Sequence, residues 1–571
     1  MICAFLFISF LLTSNNVSFN AFSQAENKSI LPGFVKINTP DHTSIYEGDI
    51  INCTIKGDPI NTYWTIENNS NHYSFYQDNP VIFDPEPTPL QQQYVKLSVY
   101  AEYSNGTASD SIQLKLHRLY FGDIHFHSEL SDGYNPVDTL YQNAIDDNYV
   151  DFACLTDHAE IVNDLDHTPP QPLWMFTRSL IQYLRYKLTD YNEWDIIKQK
   201  AIEYNQPGTF STFLGFEYSP GPWYKGGLPW SSNGHEDISH VNFYYKDVYE
   251  GAPEYSGGDC PTWHEVLDKM NQENDKGNLN IAFPHHPLAT FGFWGAYTVN
   301  WTYLAQKVIA NSESTVLTGA EVYSKWGQSI GKYSGIPLTW RYSPGNCLDE
   351  PTYWVENALW EWSELNVKRP FVMIASSDNH ATDRPASASM KSRISRSHPN
   401  PAGIIGIYAV HNTRSELWDS IANGFTYGTQ LLKMRAQATF DKQHGFGQWI
   451  NCTLPLNITI SAMSTFPGTD SAGKEMAPHA YSPDELDYPI EDIWVIKKDS
   501  EKGKPWCKII AHDQPQSHVA VTHVEDKDVQ PNDFYYIVIR QKGQYLLNEN
   551  SVGKTNDYLA FLGPIFIRDV R

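Results

Sequence analysis

Between residues 118 and 430, short β-prone runs alternate with helical segments, and almost every run ends on His, Asp or Glu. Seven runs read as strands: Leu119–Ile124, Val150–Leu155, Thr209–Phe216, Val241–Tyr245, Asn280–Phe283, Gly319–Tyr323 and Phe371–Ser376. Helical segments are predicted over Pro136–Asn148, Pro172–Leu188, Asn192–Glu203, Trp263–Asn274, Tyr353–Asn366 and Thr413–Asn423. Proline suits the first turn of the first of these, and Thr413 precedes Glu416 by three, a capping-box spacing. Alternation of this kind specifies an α/β barrel or layered sheet, whose sites form where strand-to-helix loops converge.

The flanks read differently. Residues 32–117 alternate apolar and polar positions between turn signals such as Gly57-Asp58-Pro59 and Asn105-Gly106, with Trp64 in mid-strand. This pattern predicts a small β-sandwich that resembles Ig-like or PKD-like modules, which are usually spacers or adhesion units. Residues 431–571 return to strands at Leu456–Ala462, Ile493–Lys497, Ile509–Ala511 and Phe534–Ile539, which predicts a second β-sandwich. A chain of 571 residues has room for two to four domains.

Residues 1–25 read as a signal peptide: an apolar stretch followed by Ser23 and Ala25 at the −3 and −1 positions. No Lys or Arg precedes the apolar stretch, and an uncleaved apolar tail or anchor is the competing reading. The expectation is a secreted or periplasmic protein without an integral membrane domain. Export suits disulfides between Cys260 and Cys347 and between Cys452 and Cys507, whereas Cys154, inside an apolar run, reads as a buried thiol. No C-x-x-C pair suggests a thiolate zinc site. With 41 basic against 66 acidic residues the net charge is -25, which argues against nucleic acid or anionic membrane as partner.

The strand ends carry the chemistry. The first runs into Gly122-Asp123-Ile124-His125-Phe126-His127 and then Ser131-Asp132-Gly133. Residues i and i+2 of a strand share a face, so His125 and His127 project together. The second ends in Thr156-Asp157-His158, the third in Gly215-Phe216-Glu217 and the fifth in Pro284-His285-His286-Pro287. The sixth carries Glu321, and the seventh closes on Ser377-Asp378-Asn379-His380. A lone His-x-His is more often structural than not; its repetition at successive strand ends predicts a metal site. No G-x-S-x-G, P-loop or G-x-G-x-x-G sequence supports a serine hydrolase or a nucleotide cofactor.

On these motifs, residues 118–430 resemble the PHP superfamily (polymerase and histidinol phosphatase), closest to its domain-of-unknown-function 3604 branch. Pro284-His285-His286, Ser377-Asp378-Asn379-His380 with Arg384-Pro385, and Thr413-Arg414 leading to Tyr427-Gly428-Thr429 carry that closer likeness. The resemblance implies a distorted seven-stranded (βα) barrel, flanked here by the two β-sandwiches, with a trinuclear metal centre. It implies His125, His127, Asp132, His158, Glu217, His240, His286, Asp378 and His380 as metal ligands, with Glu217 bridging and His285 a second ligand or orienting neighbour. His240 is matched mainly by its order in the chain.

Imidazole and carboxylate ligands suit zinc, manganese or iron without selecting one. Three divalent ions would carry six positive charges, of which Asp132, Glu217 and Asp378 offset three. The remainder favours a small-molecule or polymer-linked anionic substrate, and ions of this type acidify bound water for hydrolysis. Glu217 and Asp378 are thus catalytic as well as ligating, and Arg384 stands ready to bind the substrate's anionic group or to form a structural salt bridge. Asp157 and Glu321 read as orienters of ligating imidazoles, Asp157 equally as a cap. Trp223, Tyr224 and Trp230 are candidates for the cleft wall, while His235, His264, His398 and His411 read as ordinary histidines. The leading expectation is an exported phosphoesterase. Cleavage of an amide or carboxylic ester, or a binding protein built around a decayed hydrolase, are the alternatives.

Overall fold

The computed structural model describes residues 34–38, 44–67, 73–76, 81–82, 94–147, 149–159, 162, 173–219, 240–257, 259–260, 262–290, 296–305, 316–338, 350–367, 369–380, 383–386, 402–443, 446–464, 489–542 and 557–571. The segment read as a signal peptide lies outside them, as do Trp223, Tyr224, Trp230, His235, Cys347 and His398.

One strand organises the molecule. Gly106–Phe126 runs for 21 residues and changes partners along its length. It pairs antiparallel with Tyr94–Tyr103, then parallel with Ser44–Tyr46. Further on it pairs antiparallel with Gly403–Ala409 and parallel with Phe152–Leu155. Its early residues Leu114 and Leu116 lie in the core of the N-terminal module with Trp64, Val95, Leu97 and Val99. Leu119 and Phe121 belong instead to a larger core shared by the central and C-terminal regions.

The central strands form where the sequence pattern places them, at Phe152–Leu155, Leu214–Tyr218, Val241–Tyr245, Asn280–Pro284, Gly319–Ser324 and Val372–Ala375. They do not join into one closed parallel barrel among the described residues, which corrects the barrel expected from the sequence. Leu214–Tyr218, Val241–Tyr245 and Asn280–Pro284 make an antiparallel three-stranded sheet. Gly319–Ser324 pairs parallel with Val372–Ala375 in another sheet. Single bridges, His158 to Glu217, Ala282 to Leu317 and Phe126 to Asn379, link these sheets to one another and to the long strand. Two further strands, Gly403–Ala409 and Thr426–Gln430, were not marked by the pattern because both are buried on both faces and lack alternation.

The six predicted helices are present within two residues of their expected ends. Thr413 caps its helix by accepting from Glu416 N, but the Glu416 carboxylate turns to His411 rather than closing the box. The complete capping box is at Thr262 and Glu265.

Beyond residue 430, Arg435–Phe440, Leu456–Met463 and Val519–Asp526 form one antiparallel sheet. Cys507–Asp513, Ile490–Lys498, Phe534–Gln541 and Tyr558–Val570 form the other, which continues through Thr426–Gln430 into the sheet holding the long strand. Cys452 and Cys507 are both buried as free thiols, which overturns the disulfide expected between them. Cys452 pairs beside Val570, and Cys507 opens a strand on the far side of three intervening strands, well outside disulfide reach. Cys260 is likewise a free thiol, its expected partner Cys347 lies outside the described residues, and Cys154 is buried and free as expected.

Candidate metal centre

Eleven side chains, most of them at strand ends, meet in one region. At its middle, His125 Nε2, His127 Nε2, Glu217 Oε2 and Asp378 Oδ1 form a compact tetrad. The two imidazole nitrogens are 3.2 Å apart. Glu217 Oε2 is 3.2 Å from each, and Asp378 Oδ1 is 3.3 and 3.2 Å from them. A tetrahedral cation with ligands at about 2.0–2.1 Å requires ligand–ligand edges of about 3.3–3.4 Å. The spacings of His125, His127 and Asp378 approach those edges, and these three converge closely enough to hold one ion, with Glu217 Oε2 beside both imidazoles.

Glu217 faces two ways. Its Oε1 lies 3.1 Å from His285 Nε2 and 3.4 Å from His158 Nδ1, and it contacts His240 Nδ1. Glu217, His240, His285 and His286 converge closely enough to hold a second ion. A third group comprises His127, Asp132, His158 and His380. There Asp132 Oδ2 lies 3.2 Å from His380 Nε2 and 3.7 Å from His158 Nε2. Asp132 and His380 are half-buried, whereas the tetrad is fully buried, so the third group forms the accessible side. Glu217 Oε1 and Asp132 Oδ1 are buried without a hydrogen-bond donor among the described residues, as oxygens reserved for cations would be.

Electrostatics divide the imidazoles: the carboxylates beside His125 and His127 raise them, whereas His285 and His286 are lowered. Burial holds His285 well below the usual imidazole range and His286 down to about 3, with neighbouring imidazoles adding to the effect. Both are neutral and available as ligands. Burial alone would raise the carboxyls of Glu217 and Asp378, but the surrounding histidines outweigh it and hold both well below the carboxylate range. Burial pushes Glu321 up. It accepts His286 N at 3.0 Å and the Ser376 hydroxyl, and it stands 3.6 Å from His125 Nδ1. With His125 and His285 it forms a fourth group close enough to hold an ion.

Local backbone geometry fixes these groups. His286 and Asp378 sit at φ 32° and 51°, the left-handed side that His and Asp enter more readily than most residues. Gly133 lets the Ser-Asp-Gly turn close on the long strand, since a Cβ there would stand 2.4 Å from His127 O. Asp157 orients no imidazole directly. It clamps that same turn, accepting Ser128 N at 2.7 Å together with the Ser128 and Ser131 hydroxyls.

Arg384 forms a salt bridge with Asp147 at the end of the Val137–Asp147 helix, and another with Asp383 at 3.1 Å. Sequence reasoning missed three participants. Asp123, fully buried, ties the long strand to the 377–386 loop by accepting His125 N, Ser377 N and Ala386 N. Its i, i+2 spacing from His125 was the available signal. Lys325 and Trp326 belong to a turn with no motif of its own. Burial lowers the Lys325 ammonium to about 8, and its Nζ donates to Asn379 Oδ1 at 3.0 Å. Trp326 donates its indole N–H to Asp378 Oδ2.

No family model and no curated protein matches the chain. Among solved structures, it is similar to a two-domain protein of Bacteroides vulgatus described as containing a predicted PHP-like metal-dependent phosphoesterase. That alignment covers 78% of this chain and 96% of the other, at 11% identity and a TM-score of 0.31. A β-glucuronidase of Bacteroides uniformis aligns over 94% of this chain and 61% of its own, at 8% identity and a TM-score of 0.17. Superpositions this loose assign no family, whereas the chain's own residues assemble several buried His, Glu and Asp clusters able to bind metal ions.

Proposed function

We propose that this chain is an exported metal-dependent hydrolase of the PHP type, acting on a phosphoester. The tetrad of His125, His127, Glu217 and Asp378, with edges of 3.2–3.3 Å, carries the reading. Buried polar groups need partners, and two imidazoles converging with two carboxylates form a donor set that a divalent ion would satisfy.

His125, His127 and Asp378 would hold one ion, and Glu217, His240, His285 and His286 a second. His127, Asp132, His158 and His380 would hold a third. Bound divalent ions supply Lewis acidity and an acidified water, and they neutralise charge on a phosphoryl group. The protein's own task is geometric. Glu217 keeps two groups in register through its two oxygens. Asp123 fixes the backbone of His125 and Ser377, and Asp157 fixes the turn that delivers Asp132. The half-buried Asp132 and His380 leave the approach for an anionic substrate on their side. Among the described residues no helix is long and apolar enough to cross a membrane.

The test is turnover on phosphomonoester, phosphodiester and amide panels with added manganese or zinc, together with elemental analysis. Phosphoester cleavage that disappears in His127→Ala supports the proposal. Turnover confined to amides would move the reaction to the alternative ester-or-amide class, and less than one metal per chain without turnover would refute a hydrolase.

A further inference from the structure

The Gly319–Ser324 and Gly327–Gln328 strands are joined by a tight turn of two residues, Lys325 and Trp326. These adjacent residues grip two adjacent residues of the metal loop. Lys325 Nζ holds the Asn379 side chain at 3.0 Å, and the Trp326 indole holds Asp378. Division of labour at Asp378 is complete: Oδ1 faces His125 and His127, and Oδ2 accepts the indole N–H. An indole N–H only donates, so it occupies Oδ2 without competing for a cation.

Trp326 is itself placed by aromatic packing. It lies edge-on to His286 at 6.1 Å between ring centres. It packs against a small apolar cluster of Leu288, Tyr333 and Trp354, and Trp506 of the C-terminal β-sandwich packs against the same cluster. Trp506 meets Tyr333 edge-on at 5.2 Å and is held by the Trp360 indole on its carbonyl and by Cys507 N on Tyr333 O.

We infer that Trp326 is a positioning residue that keeps Asp378 a one-oxygen ligand, and that the C-terminal β-sandwich sets it through Trp506. With Oδ2 engaged, Asp378 would offer a single oxygen to an ion held with His125 and His127, and a fourth position would stay open for water or substrate. Freed of the indole, Asp378 can swing Oδ2 inward and fill that position. The inference rests on the metal-centre reading above.

Cobalt(II) loaded into the full-length protein tests it, because its visible spectrum reports coordination number independently of turnover. The expected result for Trp326→Phe is a weakened tetrahedral band and a metal affinity lower by about 10–100-fold, the usual cost of losing an outer-shell partner. Trp506→Leu, remote from every ligand, should shift the same band in the same direction by less, and it keeps the test alive if Trp326→Phe does not fold. An unchanged cobalt spectrum in fully loaded Trp326→Phe overturns the role of Trp326, and an unchanged spectrum in Trp506→Leu overturns the link to the C-terminal domain. If the wild-type chain itself shows no cobalt band, the metal centre fails, and this inference with it.

Discussion

The Nε2 atoms of His125 and His127 lie 3.2 Å apart, with both rings buried. Burial alone would lower the pKa of His127, but Asp378 and Glu217 beside it reverse the effect and raise it to about 9. A proton and a metal ion therefore compete for the same few cubic ångströms. Below about pH 9 the metal must displace a proton, so affinity should climb with pH by about tenfold per unit for each proton released. Dissociation constants for zinc or manganese at pH 6, 7 and 8 check this. A flat profile would contradict it.

Glu217→Gln should cost more than one ion. The carboxylate serves both the tetrad and the His240–His285–His286 group, and an amide turns one end into a donor facing imidazole nitrogens. Metal content should fall by two per chain and turnover by roughly 100-fold or more, beyond the usual outer-shell loss. Asp132→Asn, which touches the third group alone, should cost a single ion. Elemental analysis of both variants separates the two cases, and His264→Ala serves as a neutral control.

Gly133→Ala should empty the outer group while leaving the fold intact. The added methyl meets His127 O at 2.4 Å, so the turn carrying Asp132 must move outward. The expected outcome is one ion fewer and a turnover loss of roughly tenfold to 100-fold, in line with a displaced support residue. Retention of full metal content and rate in this variant would show that the turn is not part of the site.

Away from the metals, Glu356 gives the fold a pH dependence. Burial pushes its carboxyl up to about 7, against hydrogen bonds from Gly331 N at 2.6 Å and Tyr333 N at 3.1 Å. Between the unfolded value near 4.5 and about 7 the folded chain holds the extra proton, so stability is present at low pH and falls as pH rises through that window. The loss is roughly 3 kcal/mol at most. Glu356→Gln should stabilise the protein at pH 8 relative to wild type and do little at pH 5. Equal shifts in melting temperature at both values would disprove the account.

Much of the site was legible because ligands sit at strand ends, where a local pattern of two to four residues suffices. His125, Glu217 and Asp378 are 92 and 161 residues apart in sequence, yet each is marked by the strand before it. What escaped depends on long-range partners. Lys325-Trp326 reads as a surface turn, and only its apposition to Asp378 and Asn379 reveals a role. Gly403–Ala409 is a continuous apolar run with no alternation to mark it as a strand. Barrel closure was misjudged for a related reason. Val241–Tyr245 has the composition of any buried strand, and direction of pairing, antiparallel on both sides, is not written in its residues. Arg384 has a salt-bridge partner in Asp147, 237 positions away, which no local pattern could name.

The 21-residue strand that begins in the N-terminal module ends at Phe126, between the two histidines of the tetrad. Modules strung on flexible linkers search a volume; this one cannot. Bending it would mean breaking ladders with four successive partner strands. Anything gripped at the module's outer tip would stand at a fixed distance from the metal ligands, up to roughly 60 Å at the rise of an extended strand. The reach of the site over a surface or along a polymer would then be a length built into the backbone, alterable in steps of whole pleats.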